Sequence, residues 1–348
     1  MKGVYFMSLE KKIEQMKRQI PETAMWLDTY KANSPKTMEG YAVSLSTVLS
    51  GLGITSFAGI KDFSMADLTR IYDLAAVKGW TKHTINQHVA NLKRFIEWCN
   101  AEGLCDNHTL NKFKKLKSEP DPTFVFTFEE QEAILATVTS KRLRCILNLF
   151  LEIGARKASV QNLKVSDLCG TMLTVTDKGD KTVTHRLSEE LAEMIRDYIQ
   201  TDRAEIMKRY CEAGGIDKGW MFVSNFVNGN SRTDWEDGLQ TSPNTLNGQI
   251  KNIARKAGIA NWNRVTPHSF RKRFGINTYY SNGMDIIAAQ RAMNHSSANL
   301  TAYYIGKYDI SEAEKKELMQ NPSDAGLKAQ LEEALAKLAE LAAKVQSK

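Results

Sequence analysis

The segments TPHSFRKRF and MNHSSANLTAYYIGKYD place His268, Arg271, His295 and the adjacent Tyr303 and Tyr304 in one short stretch of the chain. Each of these side chains suits a phosphodiester. Arginine grips phosphate oxygens through two parallel hydrogen bonds, imidazole gives or takes a proton near neutral pH, and tyrosine is a nucleophile that can form a covalent intermediate. The set points to cleavage of a nucleic-acid strand without a metal.

Such cleavage needs positive charge where the non-bridging oxygens become more negative in the transition state, and two guanidiniums meet that need. Arg156, in EIGARKASVQNLKVSDL, offers a second guanidinium. The attacking tyrosine titrates near ~10 when free, so an arginine pair and an imidazole must help it lose its proton. The leaving oxygen needs a proton in turn, which a lysine on a β-turn can supply. The turn DKGDK offers Lys178 and Lys181. Arg273, two residues past Arg271, reads as a structural or DNA-backbone-contacting residue, and His83, His88, His108 and His185 read as structural.

The scaffold that must carry these groups is predicted to be mainly α with a small β-sheet. From Ser8 to about Asn111, apolar residues recur at helical spacing, as at Ile85, Val89, Leu92, Phe95 and Ile96. Ser34 before Pro35, and Thr81 or Lys82 after Gly79, mark helix starts. Residues 1–117 are therefore expected to form a helical bundle with Lys36, Lys82, Lys93 and Arg94 on basic faces. The run KFKKLKSEPDPTF, which includes Lys115, lacks either periodicity and holds two prolines, so a linker is expected at 118–126. Residues 127–320 make a second domain, opening on Thr127 with Glu130 three positions on, a capping-box pattern. A helix through RLRCILNLFLEIG delivers Arg156, and TMLTVTDKGDKTVTHRL alternates around its turn as a pair of short strands. Residues 321–348, rich in Ala, Leu, Lys and Glu, read as a further helix, either a short coiled coil or a segment that docks on the body or on a neighbouring protomer.

A length of 348 residues suits two domains with separate cores. The 47 Lys+Arg against 40 Asp+Glu give a formal net charge of +7, consistent with a polyanionic partner. The five cysteines are scattered, without zinc spacing, and read as reduced thiols in a cytoplasmic protein. The opening MKGVYFMSLEKK fits neither a secretory signal nor a membrane span.

The spacing His268-x-x-Arg271, then His295, then Tyr304 nine residues further, together with the Arg156 box, resembles the tyrosine recombinases, or phage-type integrases. The resemblance extends from about Ser34 to about Lys307. It implies an N-terminal helical core-binding (SAM-like) domain and a C-terminal tyrosine recombinase catalytic domain. It implies site-specific recombination of double-stranded DNA through a 3′-phosphotyrosyl intermediate and a Holliday junction, by a homotetramer with accessory DNA-bending proteins and with no cofactor or metal. Its arginine box is what pairs Arg156 with Arg271 as a clamp. It assigns His268 as the base or hydrogen-bond partner of the nucleophile, His295 as a donor to the scissile phosphate and Tyr304 rather than Tyr303 as the nucleophile. By analogy with the family's Gly-Lys-Gly hairpin, it picks Lys178 as the proton source. Lys36, Lys82, Lys93, Arg94, Lys115 and Arg273 become DNA contacts. One position departs from the pattern: Ser159 stands three residues after Arg156, where the family usually carries an acid, although Asp167 matches a common family acid. Integration, excision and resolution all fit. The alternatives are a type IB topoisomerase-like enzyme and a non-cleaving DNA-binding protein on an integrase scaffold.

Overall fold

The computed structural model describes residues 9–32, 35–117, 124–177, 181–225, 237–295, 297–305 and 311–320. It divides into two compact units, Met1–Asp121 and Pro122–Lys348. Among the described residues no helix is long and apolar enough to cross a membrane.

The first unit packs helices Leu9–Gln19, Pro21–Asp28, Pro35–Leu52, Phe57–Lys61, Met65–Lys78 and Lys82–Ala101. Gly79, in the left-handed region at φ 64°, ends the fifth of these. The Thr81 hydroxyl then accepts the Thr84 N–H at 3.2 Å and starts the sixth. Ile85, Val89, Leu92, Phe95, Ile96 and Cys99 share one face of that helix and are all buried, against a core that includes Trp26, Leu45 and Ile71. The lysine-rich run does not leave this unit at once. Leu116 exchanges both backbone groups with the Asn86 side chain, its N–H donating at 2.9 Å and its carbonyl accepting at 3.0 Å, which holds the segment carrying Lys115 on the bundle.

The second unit is helical around one antiparallel sheet. Strands β1 (Leu168–Cys169), β2 (Met172–Asp177) and β3 (Lys181–Arg186) run in the order β1-β2-β3, so a two-residue strand joins the expected pair. Alternation along β2 buries Leu173 and Val175, and the hairpin closes with Asp177 opposite Lys181. The linker expected at 118–126 is shorter at its far end. Phe126 is buried and packs edge-on against Phe270 at 4.7 Å, so the chain has already joined the second core there. Thr127 and Glu130 form the anticipated capping box at the start of helix Phe128–Thr137.

Helix Pro267–Ser281 runs through the middle of this unit and packs on helices Lys141–Glu152, Ile286–Ala292, Ala298–Ile305 and Glu312–Gln320. It buries Phe270, Arg271, Lys272, Arg273 and Ile276 together, and burial of three adjacent cationic side chains demands partners for them. Arg273 takes the structural one of its two expected roles, and its expected DNA contact is corrected. It is fully buried, lies 3.7 Å over the Phe128 ring, and pairs with Glu314 at 3.3 Å. Glu314 also accepts the Phe128 N–H at 2.8 Å and the Ser311 N–H at 3.3 Å. Arg273 is therefore a latch between helices and not a DNA contact. The helix expected over 321–348, the cap at Ser34 and the turn lysine Lys178 lie outside the described residues.

Candidate active site

Arg156 occupies the N-cap position of the short helix Lys157–Gln161. Two residues earlier, Gly154 sits at φ 59° with the Phe274 ring against the place a Cβ would take, so the turn that presents Arg156 requires glycine twice over. Arg271 reaches that same turn. Its buried guanidinium donates to the carbonyls of Gly154 and Met293, which precede Arg156 and His295 by two residues each. His268 is placed by the helix start: Pro267 takes the first helical position, and the Thr266 N–H donates to the Ser269 hydroxyl at 3.2 Å. These segments line a cleft of about 480 Å³ that brings together Arg156, Lys157, Asn247, His268, Arg271 and His295.

His295 is held on several sides. Its N–H donates to the Gln290 carbonyl at 3.0 Å, its own carbonyl accepts from Gln290 Nε2 at 3.1 Å, and its ring Nδ1 shares a 3.0 Å hydrogen bond with the Thr301 hydroxyl. Thr301 is fully buried in helix Ala298–Ile305. That helix carries Tyr303 and Tyr304, whose side chains lie outside the described residues. Positions 301 and 304 are three apart, hence on neighbouring parts of one helix face.

Charge in the cleft favours neutral imidazoles. Burial first, then Arg271, Arg156 and His268, push the His295 pKa down to about 4. His268 moves the same way through crowding by the cleft wall and the charges of Lys272, Arg271 and Arg156. His268 as a residue stays exposed to solvent, which moderates that shift. At neutral pH both rings can accept a proton.

Arg156 is not bare. One of its Nη atoms pairs with Asp177, and the other donates to the Asn294 carbonyl at 3.1 Å. Sequence reading passed over Asp177, Asn294 and Thr301. For Asp177 a signal existed: an arginine box without its acid at Ser159 invites a search for a carboxylate from elsewhere in the chain. Thr301 and Asn294 carry no signal before the fold brings them to His295 and Arg156. Among the described residues, no group of three or more His, Cys, Asp or Glu side chains could hold a metal ion.

In the first unit a groove of about 690 Å³ is lined by Lys36, Tyr41, Asn86, Lys93, Arg94 and Lys115, among others. Arg94 is steadied by Asn91 at 2.8 Å and lies 5.9 Å over the Tyr41 ring, and Lys93 pairs with Glu97 at 3.6 Å. Lys82 is exposed but does not line the groove.

The phage integrase family matches residues 125–310. The chain is 28% identical over 295 residues to the tyrosine recombinase XerA of Thermococcus onnurineus, covering 84% of this chain and 92% of that relative. Among solved structures it resembles a lambda integrase dimer bound to a COC′ core site, with a TM-score of 0.63 at 16% identity over 84% of this chain and 98% of that one. It also resembles a lambda integrase tetramer bound to a Holliday junction, with a TM-score of 0.61 at 14% identity over 88% of this chain and 80% of that one. The family match takes in every arginine and histidine gathered in the cleft and the helix with Tyr304 beside it, and the chain belongs to the phage integrase family of tyrosine recombinases.

Proposed function

We propose that this chain cleaves and rejoins double-stranded DNA at a specific site, with Tyr304 as the nucleophile. The observation that carries the reading is the convergence of Arg156, Arg271, His268 and His295 on one cleft, with His295 hydrogen-bonded to the helix that bears Tyr304. Arg156 and Arg271 bind the non-bridging oxygens and stabilise charge as the phosphorus becomes pentacoordinate. Neutral His268 takes the Tyr304 proton, while His295 hydrogen-bonds a phosphate oxygen. The bond from tyrosine oxygen to phosphorus forms, the bond to the 5′-oxygen breaks, and Lys178 protonates the leaving oxygen. The 3′-phosphotyrosyl link conserves the bond energy, and the 5′-hydroxyl of a partner strand reverses the step. Repeated on a second strand pair, the exchange passes through a Holliday junction.

The first unit supplies nonspecific grip, with Lys36, Lys93, Arg94 and Lys115 along its groove contacting phosphates. Likeness to a lambda integrase tetramer supports a homotetramer on DNA, and a cytoplasmic protein suits such a partner. Integration or excision of a mobile element and resolution of joined chromosomes both use this chemistry.

The test is incubation with a nicked, labelled duplex carrying a candidate site, followed by a denaturing gel. A covalent adduct lost with Tyr304→Phe and kept with Tyr303→Phe is the expected result. Tight DNA binding without adduct on a verified site would turn the reading toward a non-cleaving DNA-binding protein, and loss with Tyr303→Phe alone would move the nucleophile by one residue.

A further inference from the structure

The geometry points to Asp177 as the positioning residue for Arg156, a carboxylate delivered from the base of the β2–β3 hairpin to do what Ser159 cannot. The inference rests on Arg156 being a phosphate clamp. Asp177 Oδ2 accepts from Arg156 Nη and from Asn294 Nδ2, the latter at 3.2 Å, while Oδ1 accepts from Ser159 Oγ at 2.6 Å. Arg156 closes the ring by donating to the Asn294 carbonyl. One carboxylate thus ties together the Arg156 turn, the end of β2, and the turn that precedes His295.

An ordinary surface ion pair has one long, mobile contact and contributes little. Here the Asp177 side chain is 13% exposed and meets three donors, two of them neutral and therefore directional. Asn294 is itself held at φ 46°, a left-handed conformation that its side chain's bond to Asp177 helps to stabilise. Ser159 donates to the carboxylate rather than replacing it. The family's Gly-Lys-Gly hairpin reads Asp177-Lys178-Gly179 in this chain, so the acid absent after the first arginine returns beside the turn lysine. Two of the five guanidinium N–H groups of Arg156 are committed to Asp177 and Asn294. That fixes the plane in which the others meet a phosphate and removes the cost of ordering the side chain during the reaction.

Single-turnover adduct formation on the nicked duplex tests this. Asp177→Asn is expected to slow the reaction tenfold or more while DNA affinity stays within twofold, and adding Ser159→Asp to it recovers most of the rate. On a duplex with a neutral methylphosphonate at the scissile position, which asks little of an anion clamp, Asp177→Asn and the unaltered protein are expected to react alike. Asp177→Asn at full rate on the natural linkage, or equally slowed on both linkages, overturns the inference. Independently of cleavage, the melting-temperature losses of Arg156→Gln and Asp177→Asn are expected to be non-additive in the double variant, and strictly additive losses overturn the link. Absence of any adduct with the unaltered protein would count against Tyr304 chemistry, with the melting cycle still deciding the Arg156–Asp177 contact.

Discussion

Arg271 donates an N–H to the carbonyl oxygen of Gly154, 117 positions earlier, and another to the carbonyl of Met293. The same guanidinium assigned to phosphate thereby fixes the two backbone turns that present Arg156 and His295. Arg271→Gln is expected to abolish measurable adduct formation and to destabilise the protein by about 2–4 kcal/mol, since buried carbonyls lose their donors. Arg156→Gln should lose comparable activity but only about 1 kcal/mol, because its ion pair is partly exposed. Urea denaturation of both variants beside the gel assay checks the contrast, and equal stability losses would contradict it.

Thr301 links His295 to the tyrosine helix. Thr301→Val keeps the buried volume and removes the hydrogen bond at Nδ1. Adduct formation is expected to fall roughly tenfold, with binding of the same duplex unchanged. A rate within twofold of the unaltered protein would remove Thr301 from any part in the chemistry.

The neutral His295 makes stability depend on pH in a defined direction. Its pKa is about 4 in the folded protein against an ordinary 6.5, so as pH falls the unfolded chain takes up the proton first. Its contribution is complete above about pH 6.5 and is lost progressively as pH drops toward 4. Melting temperatures across that window should decline less steeply in His295→Asn. An unchanged slope would place the acid sensitivity elsewhere.

The latch of Arg273 and Glu314 is buried on both sides, with side-chain exposures of 0% and 8%. Glu314→Gln leaves a buried guanidinium without its counter-charge and should cost about 3–5 kcal/mol. Replacing both, as Arg273→Met with Glu314→Leu, should cost less than Glu314→Gln alone. Chemical denaturation of the three proteins decides the order.

The groove of the first unit predicts salt dependence. Arg94→Ala and Lys115→Ala should each weaken DNA binding and reduce the slope of log affinity against log salt by about 0.9, as expected when one phosphate contact is lost. Lys82→Ala, outside the groove, should leave the slope unchanged. Titrations at several salt concentrations would show an error in this division at once.

Local signals were readable wherever chemistry and structure share a short segment. The Thr127 box, the apolar face from Ile85 to Ile96, and the hairpin alternation each arise from neighbours a few residues apart, and each stands in the fold. The convergence of Arg156 with His268, Arg271 and His295 followed from family spacing rather than from physics. Contacts between distant segments were not readable. Arg273 reads as either a structural or a DNA-contacting residue, because the sequence around it does not say that Phe128 and Glu314 close over it. Sequence reading passes over Asp177, because its partners lie 18, 21 and 117 residues away.

The Ser311–Glu314 anchor also sets a length. Ser311 stands seven positions after Tyr304, and a fully extended chain advances about 3.3–3.6 Å per residue, so the Cα atoms of the two lie no more than roughly 25 Å apart. While Glu314 keeps hold of Arg273, a nucleophile at Tyr304, as proposed above, is confined to that radius. Handing the nucleophile to a more distant protomer would mean opening the buried pair first. On the proposed assignment of Tyr304 as nucleophile, the buried Arg273–Glu314 pair thus bounds how far that residue reaches.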